Sequence, residues 1–91
     1  MASRPTEPFD CPLRVNMEFY IARPKTVSLD ILWATTGADC DNLAKATLDA
    51  LQDANVIVND SRISSLSVSK KYESENKPSG AMIYIYRLDK H

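Results

Sequence analysis

The chain has 91 residues, 44% of them hydrophobic and 25% charged, and a formal net charge of -1. That length supports one globular domain and leaves no room for a second. About 60–65% of the unfolded surface can be buried at this size, so stability is modest unless the chain oligomerises. No apolar run approaches the ~18–20 residues of a membrane span, and MASRPTEPFDCP at the N-terminus lacks the apolar core of a secretory signal. A weakly negative balance does not by itself favour a nucleic-acid partner. The expectation is a cytoplasmic protein with no membrane association.

Residues 1–12 combine prolines and mixed charges with almost no hydrophobic pattern and read as a flexible N-terminal arm, followed by a single domain from 13 to 91. From Leu13 the chain alternates: Leu13, Val15, Met17, Phe19 and Ile21 on one face, Arg14, Asn16, Glu18 and Tyr20 on the other, which is a strand closed by Pro24. Val27, Leu29, Ile31 and Trp33 alternate with Ser28, Asp30 and Leu32 and predict a second strand, ended by Gly37. A helix is predicted over 42–54, with Leu43, Ala46, Thr47, Ala50, Leu51 and Ala54 as its apolar stripe. Asp41 serves as its N-cap and Asn55 as the left-handed residue beyond its end. Val56–Val58 reads as a short buried strand, 59–61 as a turn, Arg62 to Tyr72 as another strand, 73–80 as a polar loop, and AMIYIYRL from Ala81 as the last strand. The fold class is therefore α+β, a mostly antiparallel or mixed sheet of four to five strands with one main helix packed on it.

The two cysteines, Cys11 and Cys40, have neither zinc-site nor disulfide-framework spacing. The flanking Asp39 and Asp41 disfavour a thiolate at Cys40. The one histidine, His91, is the last residue and reads as a frayed end, so no Ser/His/Asp triad is assembled around it.

Chemistry concentrates in GADCDNLAKATLDAL, Gly37 to Leu51, which sets two aspartates at the mouth of the helix. In extended chain, residues two apart share a face at about 6.5–7 Å, so Asp39 and Asp41 can aim both carboxylates at one point. Converging hard oxygens suit Mg²⁺ or Mn²⁺. An EF-hand is excluded, because Leu43 occupies the fifth loop position and no glycine follows. A 13-residue helix is about 20 Å long, and the six residues from Asn55 to Asp60 span about 20 Å if extended. Asp60 is thus expected to return to the level of the first helical turn, where Lys45 adds a fixed positive charge. Three carboxylates holding a cation beside a lysine can hydrolyse a phosphodiester. Each position also has a bland reading: Asp41 as a cap, Lys45–Asp49 as a helix ion pair, Asp60 as a turn residue.

DCDNLAKATLDALQDANVIVNDSRI resembles the RusA family of Holliday junction resolvases of bacteria and their phages. The family pattern is Asp-x-Asp-Asn-Leu-x-Lys, a helix containing Asp-Ala-Leu, a turn, a short apolar strand and Asp-Asp. Asp39, Asp41, Asn42, Leu43, Lys45, Asp49, Ala50 and Leu51 stand in register with it, Asp60 matches the last aspartate, and Lys70 a lysine often seen in the following strand. Asn59 stands where the family usually has the first of the paired aspartates, and a short arm precedes Leu13 where members generally carry a further strand and helical region. The resemblance implies a magnesium-dependent endonuclease, with Mn²⁺ able to substitute. It would act as a homodimer on four-way junctions in recombination and repair, in a nucleoid-associated or phage-encoded setting and without a nucleotide cofactor. Asp39, Asp41 and Asp60 would be metal ligands and Lys45 the catalytic lysine.

Setting aside Asp39, Asp41 and Asp60 leaves nine acids against eleven bases, a balance of +2. Arg62, Lys70, Lys71 and Lys77 cluster in the second half, as a phosphate-contacting surface requires, although lysines also protect an open strand edge. Two rivals remain: a nuclease selective for flaps or single strands, and a catalytically idle DNA-binding or assembly protein of the same fold.

Overall fold

In the computed structural model, which describes residues 7–88, the alternation after Pro12 is realised as the central strand β1, Leu13–Ile21. Leu13, Val15, Met17 and Phe19 are buried on one face. The helix α1, Cys40–Asp53, packs on that face, followed by a 3₁₀ turn at Asp60–Arg62 and the strands β2, Ile63–Tyr72, and β3, Gly80–Arg87. The sheet order is β2-β1-β3, with β2 parallel and β3 antiparallel to β1. A parallel neighbour demands a crossover, and α1 supplies it. The α+β class stands, with a mixed sheet of three strands among the described residues in place of the four to five expected.

The two missing strands have local causes. In 27–33 the alternation is overruled by turns: Val27 N–H donates to Pro24 O at 3.0 Å and Ile31 N–H to Ser28 O at 3.1 Å. Arg23 holds that shape, donating to the carbonyls of Ser28 and Ile31, each at 2.6 Å. Only Trp33 makes a ladder contact, an antiparallel bridge to Lys71. Around Val56–Val58 pairing is confined to one parallel bridge, Ile57 with Phe9. Ile57 is nevertheless fully buried.

The described part of the N-terminal arm, residues 7–12, docks on this core. Phe9 exchanges backbone bonds with Val56 and Val58 at 2.9 and 3.0 Å, and Phe9 and Cys11 pack against the buried cluster. Residues 1–6 of the arm and the expected frayed end at His91 lie outside the described residues.

The helix starts two residues before the predicted 42, and its buried face is turned. Ala44 is its buried residue, and Leu43, Leu48 and Leu51 pack against the same buried cluster that Ile63, Val68, Ile83 and Ile85 approach from the strands. Ala46, Ala50 and Ala54, expected on the stripe, are exposed. Leucine gains more than alanine on leaving water, so the helix rolls by roughly 60° to seat the leucines. Ala44, with no side chain beyond Cβ, is buried in one cluster with Leu13, Val15, Met17 and Phe19 of β1. The C-terminal expectation holds: Asn55 is left-handed, at φ 58°, and Val56 N–H donates to Leu51 O at 2.9 Å. Both cysteines are free. Among the described residues no helix is long and apolar enough to cross a membrane.

Candidate active site

Asp39, not Asp41, is the N-cap of α1. Its backbone is extended and its carbonyl accepts from Leu43 N–H at 3.0 Å, but its side chain makes no capping bond. Asp41 lies in the first helical turn, with Oδ1 accepting from Asn42 N–H at 3.0 Å. Because helix begins at Cys40, the extended-chain alternation does not apply to this pair, and residues two apart on a helix do not share a face. The carboxylate of Asp39 is thus not consumed in closing the helix end, whereas that of Asp41 takes up one first-turn amide from inside the helix.

The loop ahead of Asp39 is fastened from β2. Lys70 Nζ donates to the carbonyls of Thr36 and Ala38 at 2.8 and 3.0 Å. The Tyr72 hydroxyl, on a side chain only 1% exposed, accepts from Thr35 N–H at 3.3 Å and pairs with Thr36 Oγ1 at 3.1 Å. Bonds to the Thr36 side chain first, then to Thr35, draw the Tyr72 phenol below its ordinary pKa, and the Lys70 charge adds to this.

A cleft of about 260 Å³ runs beside α1, lined by Asp41, Ala44, Lys45, Leu48, Asp49, Asp60 and Leu66. The five helical residues follow i, i+3, i+4, i+7, i+8, one continuous face. Leu66 comes from β2 and Asp60 from the 3₁₀ turn. Asp41, Lys45 and Asp60 therefore meet in one cleft, joined by Asp49, while Asp39 stands two residues outside its lining at the helix mouth.

Asp60 does not return to the level of the first turn. Its N–H donates to Gln52 Oε1 at 3.2 Å, and Gln52 follows Asp41 by eleven residues, roughly 16 Å along the helix axis. The return segment 55–59 folds back on the helix end, Ile57 N–H reaching Leu51 O at 3.5 Å, so it never gains the extended length the prediction assumed. The carboxylates are strung along the cleft, and among the described residues no three His, Cys, Asp or Glu side chains come close enough to share a cation. The expected Lys45–Asp49 pair is not made either: among the described residues the ion pair within 4.0 Å is Arg62–Asp10. As donors the cleft residues suit a hard divalent cation, since they are carboxylates that no base neutralises.

The four basic residues expected to contact phosphates divide. Arg62 Nε pairs with Asp10 at 2.5 Å, and Lys70 is bound to the loop carbonyls. Lys71 lies 5.1 Å from the Trp33 ring centroid, and Lys71 and Lys77 flank the Tyr20 ring at 6.0 and 5.9 Å. Asn59 explains its own departure from the paired aspartates: its Oδ1 accepts from Ser61 N–H at 2.8 Å, a bond that a carboxylate oxygen makes equally well.

Three contributors were not read as site residues from the sequence. Asp49, read there as the ion-pair partner of Lys45 and as part of the family pattern, stands eight residues after Asp41 on the same helix face, and that spacing marked it. Gln52 and Tyr72 act through long-range bonds, to Asp60 and to the 35–36 segment, and a linear pattern carries no signal for those.

A family model, that of the endodeoxyribonuclease RusA, matches residues 1–85. The class of protein thus defined is a DNA endonuclease. The chain belongs to the RusA family, the endodeoxyribonucleases that resolve Holliday junctions. Neither a curated protein nor a solved structure matches it.

Proposed function

We propose that the protein is a Mg²⁺-dependent resolvase that cuts four-way DNA junctions as a homodimer in a cytoplasmic, nucleoid-associated or phage-encoded setting. The observation that carries this reading is the meeting of Asp41 and Lys45, from the helix, with Asp60, from the 3₁₀ turn, along one cleft. Asp39, Asp41 and Asp60 are the proposed ligands, and the carboxylate of Asp39 is free of any capping bond. A divalent cation bound there would lower the pKa of a water and neutralise charge on the phosphoryl oxygens, with Mn²⁺ able to replace Mg²⁺.

The chain's own groups do the rest. Lys45 sets a fixed positive charge where negative charge builds on the phosphoryl oxygens in the transition state. Ala44, Leu48 and Leu66 give the cleft an apolar wall, which strengthens that charge–charge attraction. Lys71, Lys77 and Arg62 are proposed as phosphate contacts flanking the site. The homodimer is supported by the outer edge of β3, which pairs with no strand among the described residues, and by Met82, Tyr84 and Tyr86, exposed on the sheet face that α1 does not cover.

The test incubates the protein with a synthetic four-way junction, with and without Mg²⁺ or Mn²⁺. Paired nicks near the crossover that require the cation and vanish in Asp60→Asn, with junction binding retained, are the expected result. Cutting of flaps but not junctions would make it a different nuclease. That no three acidic, His or Cys side chains cluster among the described residues favours one rival, an idle junction-binding protein, and binding without any cation-dependent cutting would establish that rival instead.

A further inference from the structure

Among the described residues, the largest apolar exposure outside the cleft is the loop before the helix. Leu29 is 88% exposed, Ile31 46%, Leu32 51% and Trp33 59%. Four large apolar side chains in five residues form a patch that a free surface does not carry without a partner.

The loop is built to hold its shape. Arg23 binds its carbonyls at Ser28 and Ile31 and lies over the Tyr72 ring at 5.0 Å. The Ser28 hydroxyl donates to the Asp30 carboxylate, which turns the loop's one acid into the turn. Tyr72 N–H donates to Leu32 O at 2.9 Å and Ala34 N–H to Lys70 O at 3.1 Å, fixing Trp33 along the outer edge of β2. Three residues on, Lys70 and Tyr72 grip Thr36 and Ala38, so the strand end that carries Trp33 also carries the loop leading to Asp39.

The rim is cationic, with the Lys71 ammonium 5.1 Å from the indole centroid. An exposed indole on a rigid support, with an ammonium beside it, is complementary to a base and its phosphate. A second copy of the chain has a better place, because the edge of β3, unpaired among the described residues, lies at the opposite side of the sheet.

We propose that Leu29–Trp33 is a base-stacking platform for unpaired nucleobases at a DNA branch point, with Trp33 as the stacking ring and Lys71 on the adjoining phosphate. It rests on the junction-cutting reading for its substrate, and it deepens that reading by naming what distinguishes a branch from plain duplex.

Trp33 is the chain's one tryptophan, so the native protein carries its own probe. Trp33 emission is followed in the cleavage-blocked Asp60→Asn protein during titration with a four-way junction, a linear duplex and oligothymidylate. Quenching by the junction and by oligothymidylate, and not by the duplex, is expected. Trp33→Ala should weaken junction binding about 5- to 150-fold, the range of one base–aromatic stack, and leave duplex binding unchanged. Trp33→Phe, which keeps a ring and guards against misfolding, should retain most of the affinity. Unquenched emission at saturating junction, with Trp33→Ala binding as tightly as wild type, overturns the platform. So does an emission change that tracks protein concentration without DNA, which would make a second copy the occupant. If the junction is cut while Trp33 stays unquenched, the platform falls and the resolvase stands. If oligothymidylate quenches Trp33 but no junction is cut, the platform stands and the resolvase falls.

Discussion

Lys70 and Lys71 are neighbours on β2, and because side chains alternate along a strand their ammonium groups leave on opposite faces. Lys70 reaches the carbonyls of Thr36 and Ala38 and closes the approach to Asp39, whereas Lys71 lies beside Trp33 on a free surface. Lys70→Met should therefore lower stability by about 1 kcal/mol, the loss of a charge-assisted bond at a partly exposed site, and leave the salt dependence of DNA binding unaltered. Lys71→Met should leave stability alone and reduce the slope of log K against log salt by about 0.9, one phosphate contact. Denaturant melts and a salt titration read the two effects separately, and equal slopes for the two variants would sink the division. The sequence could mark both as cationic but not which was engaged, since the deciding carbonyls lie more than thirty residues away. The aspartates were legible as a motif for the opposite reason: Asp39, Asp41, Lys45 and Asp60 carry a fixed spacing, and only their three-dimensional separation was hidden.

The helix was visible in the sequence, and its facing was not. Periodicity alone fits two stripes on α1, one through Ala46 and Ala50 and one through Ala44 and Leu48, and packing against the buried cluster of β1 selects the second. Ala44→Leu should cost about 1–3 kcal/mol, because it forces extra atoms between helix and sheet. Ala50→Leu, on the exposed side, should stay within about 0.5 kcal/mol. Chemical melts of the two variants test the facing, and the reverse order would restore the stripe read from sequence. The same limit applies to 27–33, where alternation implied a strand. The bonds from Arg23 to Ser28 and Ile31 bend it into the loop that exposes Leu29. A period of two reports which residues could share a face, not whether an edge is there to pair with.

At the scale of the molecule, acid and base are separated, and that separation has a thermodynamic consequence. The net charge is only -1, yet Asp41, Asp49 and Asp60 line one cleft with Lys45 as the single base there among the described residues. A cation that binds the folded cleft and not the unfolded chain stabilises the fold by mass action. At about ten times its dissociation constant, Mn²⁺ should add about 1.4 kcal/mol, which in a domain of this size raises the melting temperature by about 5–10 °C. The rise should grow with the logarithm of Mn²⁺ concentration and be lost in Asp41→Asn. Asp53→Asn removes a carboxylate from the same helix outside the cleft and should keep the full rise, which separates binding at the site from general screening of the acid charge. The readout is a thermal melt of each protein against its own cation-free baseline, before any DNA is added. A wild-type melt indifferent to Mn²⁺, or an equal rise in wild type and Asp41→Asn, would remove Asp41 from the ligand set whatever the junction assays report.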